Sequence, residues 1–259
     1  MDFPVHFELL GLRLHAHSAL ELLAYIAGVQ LYLFRRRRVK LQSLTLEQNL
    51  WIITACVIGA AAGSKLLAWF ESPMLFWHNL NQPHVWFGGK TIVGGLLGGW
   101  VGVEIAKSRL GVTQSTGDRF VFPIILGLCI GRVGCFLTGL EDRTHGVATN
   151  LPWAIDFGDG IARHPTQLYE IGFLILLAAV LAIRAHRHRS GELFRLFMLA
   201  YLLWRFGIEF IKPRETPYAG LSAIQWASLF AAGVCMWQLY LMRRTAPHAP
   251  SPAVAEAPA

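Results

Sequence analysis

The chain has 259 residues, of which 54% are hydrophobic and only 15% are charged, and its formal net charge is +7. Soluble domains usually carry about 25% charged residues, so this composition excludes a water-soluble globule and predicts an integral membrane protein. The positive charge leaves two explanations open, nucleic-acid binding or basic loops on the cytoplasmic side of a membrane.

Seven mostly apolar runs are each long enough to cross a bilayer as a helix, which takes about 20 residues. They lack the two-residue alternation of a lipid-facing β-barrel strand. The first run follows no basic segment, so we expect a retained anchor and no cleaved signal peptide. The sequence predicts an all-α polytopic membrane protein with transmembrane helices at about residues 17–34, 49–70, 87–106, 119–139, 166–186, 192–211 and 220–242.

The distribution of basic residues predicts the orientation of these helices. Six basic residues lie on one side of the membrane: Arg13, Lys90, Arg143, Arg163, Lys212 and Arg214. Thirteen lie on the other side: Arg35, Arg36, Arg37, Arg38, Lys40, Lys107, Arg109, Arg119, Arg184, Arg187, Arg189, Arg243 and Arg244. By the positive-inside rule, the N-terminus is periplasmic and the C-terminus is cytoplasmic. Basic residues spread over four short loops do not support nucleic-acid binding.

The predicted domain organisation is simple. Residues 1–244 form one seven-helix membrane domain with a long periplasmic loop at about 140–165, and residues 245–259, rich in Ala and Pro, form a disordered cytoplasmic tail. The four cysteines contain no CxxC pair, so we expect neither a disulfide framework nor a metal site, and no cofactor.

Four basic residues fall inside the predicted spans. Lys65 and Arg195 lie near span ends, where a long side chain can reach the interface. Arg132 and Arg205 lie deeper, where a charged side chain costs about 2.5–3.5 kcal/mol on insertion scales. Glu209 follows Arg205 by four residues on the same helix face. This pair is either a structural ion pair or an arginine aimed at an anionic lipid head group, because a guanidinium makes bidentate contacts to phosphate.

Two further motifs leave alternatives open. The run FGGKTIVGGLLGG (87–99) favours close helix packing, or backbone approach to an anion near residues 88–90. The run RHPTQLYE (163–170) brings polar side chains to the mouth of a predicted span, where an interfacial belt explains Tyr169 but explains Gln167 and Glu170 poorly.

These motifs, with GRVGCFLTG (131–139) and WRFGIEFIK (204–212), occur in the order found in the prolipoprotein diacylglyceryl transferase family, which the chain resembles over about residues 12–242. The resemblance implies a multi-pass enzyme of the bacterial inner membrane in lipoprotein biosynthesis. Such an enzyme transfers a diacylglyceryl group from phosphatidylglycerol to the lipobox cysteine of a preprolipoprotein and releases glycerol-1-phosphate. The implied partners are these two substrates and membrane lipids, with no nucleic acid.

The resemblance also implies site residues. Arg132 and Arg205 match the two essential arginines of the family, and His164 is a third catalytic candidate. The substrate-binding candidates are His15, His17, Gly94, Gly95, Gly131, Gly134, Cys135, Gly139, Glu141, Gln167, Tyr169, Glu170, Glu209 and Gln225.

Several positions depart from the family pattern. Val93 replaces a histidine that is proposed in the family as the general base, and Cys135 replaces the first asparagine of the arginine signature. His17 stands at a family tyrosine, and Lys212 replaces a final arginine. Three histidines remain available as a base: His17, His145 and His164. These departures indicate a divergent member or paralogue, and two alternatives stay open: a phospholipid-dependent transferase with another acceptor, or a non-enzymatic lipid-binding or transport protein.

Overall fold

The computed structural model describes residues 3–9, 12–37, 44–82, 85–86, 88–213 and 215–244. The predicted tail at 245–259 lies outside this part of the chain, as do Arg38, Lys40 and Arg214 from the predicted loops. The described residues form a mostly helical protein with eight α-helices. A hairpin of two antiparallel strands, β1 (His6–Leu9) and β2 (Leu12–His15), precedes them.

A long helix occupies each of the seven positions where the sequence predicts a span, and one short helix follows the second. The helices are α1 (Ala16–Arg37), α2 (Leu46–Glu71), α3 (Pro73–His78), α4 (Ile92–Arg109), α5 (Val121–Thr138), α6 (Thr166–Arg184), α7 (Glu192–Ile208) and α8 (Ala223–Arg244). Short 3-10 turns at Gly117–Phe120, Gly139–Asp142 and Glu209–Ile211 precede α5, follow α5 and follow α7.

Local chemistry explains where some of these helices begin. The Thr45 hydroxyl accepts a hydrogen bond from the Gln48 amide at 3.1 Å, and the Gln48 side chain accepts one from the Thr45 amide at 3.1 Å, which is a capping box for α2. The Asp118 carboxylate accepts from the Phe194 amide at 2.8 Å, so a residue ahead of α5 caps the first turn of α7.

Four segments are long and apolar enough to cross a membrane by length and composition: Ala16–Arg35, Leu46–Glu71, Gly117–Asp142 and Thr166–Arg184. Helix α7 has 17 residues and includes Glu192, Arg195 and Arg205, so it falls below this standard although its sequence is largely apolar. Large apolar side chains are nevertheless exposed on several helices, among them Ile183 at 78% and Phe230 at 77%. Surfaces of this kind fit a lipid environment better than water.

The core lies between α4, α5, α6, α7 and α8. Its fully buried members include Val121, Leu174, Phe197 and Cys235, and Val93 lies there with 1% of its surface exposed. Helix α1 packs along α5, and α2 packs along α4. Valine has no group that could transfer a proton, and core side chains enclose this position.

Glycines let α2 and α4 pack backbone against backbone. A Cβ atom built on Gly98 would lie 2.1 Å from the carbonyl oxygen of Gly59, and one built on Gly94 would lie 2.3 Å from that of Gly63. Small residues at four-residue spacing allow this approach between membrane helices. For Gly94 and Gly98, close packing is therefore the alternative that the structure supports.

The long loop after α5 is ordered by short-range contacts. Strands β3 (Ile155–Asp156) and β4 (Ala162–Arg163) pair in an antiparallel register. Arg163 makes a two-pronged contact with Asp159, with donor–acceptor distances of 2.6 and 2.7 Å. These contacts fix the chain immediately before His164 and the first turn of α6.

We predict that Gly98→Ala destabilises the protein because its new methyl group has only backbone atoms to displace. Overpacking of this kind costs about 1–3 kcal/mol. The matched control is Gly95→Ala in the same helix, where a Cβ would meet its nearest atoms at 3.8 Å. Thermal unfolding in detergent should show a lowered midpoint for Gly98→Ala and an unchanged or raised one for Gly95→Ala. Equal midpoints for the two variants would contradict the packing explanation.

Candidate functional site

Three helices bring two arginines and one glutamate together inside the protein. Arg132 from α5 lies with Nη2 2.9 Å from Oε2 of Glu170 in α6. Arg205 from α7 lies with Nη1 3.5 Å from the same oxygen. The three residues are 4%, 5% and 1% exposed, in the order Arg132, Arg205 and Glu170. One carboxylate oxygen therefore holds both guanidinium groups in fixed positions.

Further contacts complete this arginine cluster, which we define as Arg132, Glu170, Tyr201, Arg205, Glu209 and Lys212. The Tyr201 hydroxyl donates to Oε1 of Glu170 at 2.7 Å, and Arg205 donates through Nη2 to Glu209. The Lys212 ammonium lies 4.0 Å from Oε1 of Glu209. Buried charges are normally paired and hydrogen-bonded in this way, because an isolated buried charge is very costly.

The charges of the cluster nearly balance. The positive charges of two arginines are balanced by the negative charges of two glutamates. The net charge of the cluster therefore depends on the protonation of Lys212, which follows the 3-10 turn after α7. Burial, and then the positive charges of Arg205 and Arg132, lower the pKa of Lys212 to about 7. The cluster is therefore close to neutral above pH 7 and gains a positive charge below it.

Each of the two arginines has one N–H group that makes no hydrogen bond among the described residues. The Nε atoms of Arg132 and Arg205 are buried and have no hydrogen-bond acceptor among the described residues. A buried donor without an acceptor is rare and costs about 1–3 kcal/mol. This arrangement suits an anion with several acceptor oxygens, such as a phosphate group, better than it suits a closed structural ion pair.

The start of α6 is held by Thr144, a loop residue that the sequence did not single out. The Thr166 hydroxyl donates to the Thr144 carbonyl, and the Gln167 amide donates to the Thr144 hydroxyl at 3.1 Å. Gln167 is 1% exposed, and its Oε1 has no donor among the described residues. Gln167 and Glu170 therefore lie inside the protein, so the interfacial-belt interpretation fails for both.

His164 and Tyr169 form a separate pair beside this segment. The Tyr169 hydroxyl lies 3.1 Å from Nδ1 of His164 and accepts a hydrogen bond from the Trp153 indole at 2.7 Å. Neither residue contacts an arginine of the cluster in the hydrogen bonds of the described chain. The structure thus brings Arg132 and Arg205 together and leaves His164, the third catalytic candidate, outside their contacts.

A second group of polar side chains adjoins Arg132 near the end of α5. Nδ1 of His17, at the start of α1, lies 3.8 Å from Oδ1 of Asp142, and Nη1 of Arg132 donates to Sγ of Cys135 at 3.7 Å. His17, Cys135 and Asp142 each offer one possible ligand atom, and these three atoms lie within 4.8 Å of one another. Next to them, Nε2 of His15 lies 3.3 Å from Glu141.

The candidate glycines and Gln225 lie near helix contacts and turns outside the arginine cluster. Gly134 faces His17 and Leu20 of α1, and Gly139 has a φ of 69° in the turn that ends α5. Gly131 has open space around its Cα atom, so it could lie next to a bound molecule, whereas a Cβ on Gly95 would make ordinary contact with Ala60 and Ser64 of α2 at 3.8 Å. The Gln225 side chain accepts from the Ser222 amide at 3.1 Å and donates to the Phe206 carbonyl at 3.2 Å, which joins α8 to α7.

The glycines before α4 place their carbonyl oxygens against a lysine side chain. The Lys65 ammonium donates to the carbonyl oxygens of Gly88 and Gly89 at 3.2 and 2.9 Å, so these carbonyls face a cation. The Lys90 ammonium donates to Glu21 at 3.0 Å. A groove of about 800 Å³ lies nearby between α2 and α4, and its lining includes Lys65 and Trp69 but no member of the arginine cluster.

Tyr201 is a member of the cluster that the sequence analysis did not predict, although its spacing in the sequence could have indicated it. Tyr201, Arg205 and Glu209 recur every four residues, which puts them on one helix face. Only the fold, however, shows that this face meets Glu170 of α6.

Comparison with known proteins identifies the family. The family model described as prolipoprotein diacylglyceryl transferase matches residues 4–241. A phosphatidylglycerol--prolipoprotein diacylglyceryl transferase of Bordetella avium is 30% identical over 93% of this chain and 95% of its own length. Enzymes of the same name from Bordetella parapertussis and Nitratidesulfovibrio vulgaris are 33% and 31% identical, over 87% and 96% of this chain and 90% and 96% of their own lengths. The chain therefore belongs to the prolipoprotein diacylglyceryl transferase family.

Proposed function

We propose that this chain transfers the diacylglyceryl group of phosphatidylglycerol to the lipobox cysteine of a preprolipoprotein and releases glycerol-1-phosphate. The observation that carries the proposal is the pair of buried arginines, Arg132 and Arg205, fixed on one oxygen of Glu170 with an unused donor on each. The names of the relatives supply the two substrates.

The chemistry follows from where charge develops. The acceptor thiolate attacks the glyceryl carbon, the bond from that carbon to the phosphate oxygen breaks, and the phosphate departs with the additional negative charge. Preorganised donors aimed at a leaving group lower the barrier because they bind the transition state more tightly than the substrate. Arg132 and Arg205 fill this role, and Glu170, Glu209 and Tyr201 hold them in place.

Residues around the arginines contribute to substrate binding in this proposal. Gln167, with a free buried acceptor, and Gly131, with open space beside it, suit contacts to the glycerol and phosphate groups. His164 and Tyr169 lie beside the ordered loop and suit contacts to the preprolipoprotein. Phosphatidylglycerol reaches the site from the surrounding membrane.

A transfer assay tests the function directly. Purified protein in detergent is incubated with phosphatidylglycerol and a lipobox peptide, and the products are read by mass spectrometry. We expect the peptide to gain one diacylglyceryl group and glycerol phosphate to appear. Release of glycerol phosphate with an unmodified peptide would favour the alternative acceptor that Val93 and Cys135 suggest. Lipid binding without release would instead indicate a lipid-binding or transport protein.

In that assay, Arg132→Ala should lower the transfer rate by about 10²–10³ or more, which is the usual effect of removing one transition-state donor. Arg132→Lys should also lose most activity, because an ammonium cannot make the planar two-pronged contact. Arg195→Lys is the matched control, since Arg195 contacts Gln238 and the Gly191 carbonyl instead. Normal transfer by Arg132→Ala, at wild-type thermal stability, would overturn the assignment.

The protonation of Lys212 predicts a pH dependence of lipid binding. A lysine is ordinarily protonated up to about pH 10.4, but the pKa of Lys212 is lowered to about 7. The cluster therefore binds an anion best below pH 7, and the KM for phosphatidylglycerol should rise as the pH increases through about 7. Lys212→Arg, which stays charged, should remove this rise. A wild-type KM that stays constant from pH 6 to 8 would contradict the assignment of a lowered pKa.

We also propose that all seven long helices cross the bacterial inner membrane, with the N-terminus periplasmic and the C-terminus cytoplasmic. The basic residues support this orientation, since the larger group lies in the loops on the side of the C-terminus. A reporter enzyme that is active only in the periplasm should work when inserted in the loop between β3 and β4 and fail when fused after Arg244. Activity of the fusion after Arg244 would reverse the orientation.

A further inference from the structure

The cluster of His17, Cys135 and Asp142 has the composition of a metal site. It offers an imidazole nitrogen, a thiolate sulfur and a carboxylate oxygen from three separate places: the start of α1, the last turns of α5 and the 3-10 turn after α5. Zinc is bound by these three atom types, and a zinc ion that takes part in chemistry keeps three protein ligands and one open position.

The distances permit such an ion with small side-chain rotations. Bonds of about 2.0–2.3 Å in a tetrahedral site leave the ligand atoms about 3.3–3.8 Å apart. Nδ1 of His17 and Oδ1 of Asp142 are 3.8 Å apart, and the three ligand atoms lie within 4.8 Å of one another.

The surroundings of His17 add an independent indication. Its Nδ1 is buried and has no hydrogen-bond partner among the described residues, although a carboxylate lies nearby. On the opposite side of the ring, Nε2 lies 3.8 Å from Oε2 of Glu21. A histidine that binds a metal through one nitrogen characteristically presents the other to a carboxylate, which fixes the ring and its tautomer.

The charges also fit a divalent cation. A thiolate at Cys135 and the carboxylate of Asp142 supply two negative charges, which neutralise Zn²⁺. The adjacent guanidinium of Arg132, 3.7 Å from Sγ, then faces a neutral group, and Glu170 remains its own counterion. The metal position is thus next to the arginine to which the proposed function assigns the leaving phosphate.

We infer that His17, Cys135 and Asp142 bind a zinc ion whose fourth coordination position takes the acceptor thiol of the preprolipoprotein. This inference rests on the proposed function. Such an ion would provide a means of deprotonating the acceptor thiol, which Val93 cannot do. A thiol that coordinates zinc loses its proton and becomes the thiolate nucleophile.

The atoms of the step balance as follows. The acceptor thiol binds zinc and releases its proton to water. Its sulfur then forms a bond to the glyceryl carbon of phosphatidylglycerol, and the bond between that carbon and the phosphate oxygen breaks. The electron pair of the broken bond leaves with glycerol phosphate, which takes up a proton from water. The neutral thioether product is a weak ligand and departs, and the open position returns.

Metal content tests the site without relying on activity. Protein purified in detergent from zinc-supplied cells should carry one zinc ion per chain by elemental mass spectrometry, and Cys135→Ala, Asp142→Asn and His17→Phe should lose it. Cys129→Ala, in the same helix and outside the cluster, is the matched control and should keep it. Cys135→Asn, which restores the residue of the family signature, should fold normally and also lack zinc.

Cobalt provides a second readout. Protein depleted of zinc and loaded with Co²⁺ should show a thiolate-to-cobalt charge-transfer absorption, absent in Cys135→Ala and present in Cys129→Ala. Removing zinc with a chelator should abolish diacylglyceryl transfer, and added zinc should restore it.

The outcomes separate the two proposals. A wild-type protein that lacks zinc, shows no cobalt absorption and still modifies the lipobox peptide would overturn the zinc site and leave the transferase function standing. Zinc bound through Cys135 in a protein that does not modify the peptide would support the site and overturn the function. Transfer at full rate after zinc removal would overturn the role in activating the thiol.

Discussion

The shared carboxylate of Glu170 is the interaction on which the functional part of this protein depends. Two arginines lie in largely apolar helices, where each would be costly alone. Glu170 reduces that cost, and Tyr201 and Glu209 satisfy further donors and acceptors. Breaking a buried pair by removing one partner costs about 3–5 kcal/mol. The cluster therefore constrains the packing of α5, α6 and α7 as well as the position of any bound anion.

Chain direction explains why these particular residues meet. Arg132 lies in the second half of α5, Glu170 in the first turns of α6 and Arg205 near the end of α7. Successive antiparallel helices bring the end of one to the level of the start of the next, so all three side chains reach the same side of the bundle. In the loop after α5, Thr144 holds the first turn of α6 through hydrogen bonds with Thr166 and Gln167.

Hydropathy and helical periodicity predict the positions of the helices and the contacts within one helix. They do not predict the contacts between helices. A helix occupies each predicted span, and the four-residue spacing correctly placed Arg205 and Glu209 together. Spacing within one helix says nothing about which neighbour that face meets, so Glu170 as the common partner and Tyr201 as its donor appear only in the fold. The same limit explains the absence of metal-ligand spacing: His17 and Cys135 are distant in sequence, and helix packing brings them together.

The departures from the family pattern at Val93, His17 and Cys135 all concern groups that could deprotonate or activate the acceptor thiol. Val93 places an apolar side chain, which cannot accept a proton, in the core. His17 and Cys135 bring an imidazole and a thiol into the group that adjoins Arg132, and Asp142 adds a carboxylate. Arg132 is common to both groups. With the proposed zinc ion, the arginine contacts that we propose for the phosphate can stay unchanged while the means of generating the thiolate moves from a base to a cation. The exchange is chemically consistent, because the arginines act on the leaving phosphate oxygen and the nucleophile acts on the glyceryl carbon of the same breaking bond.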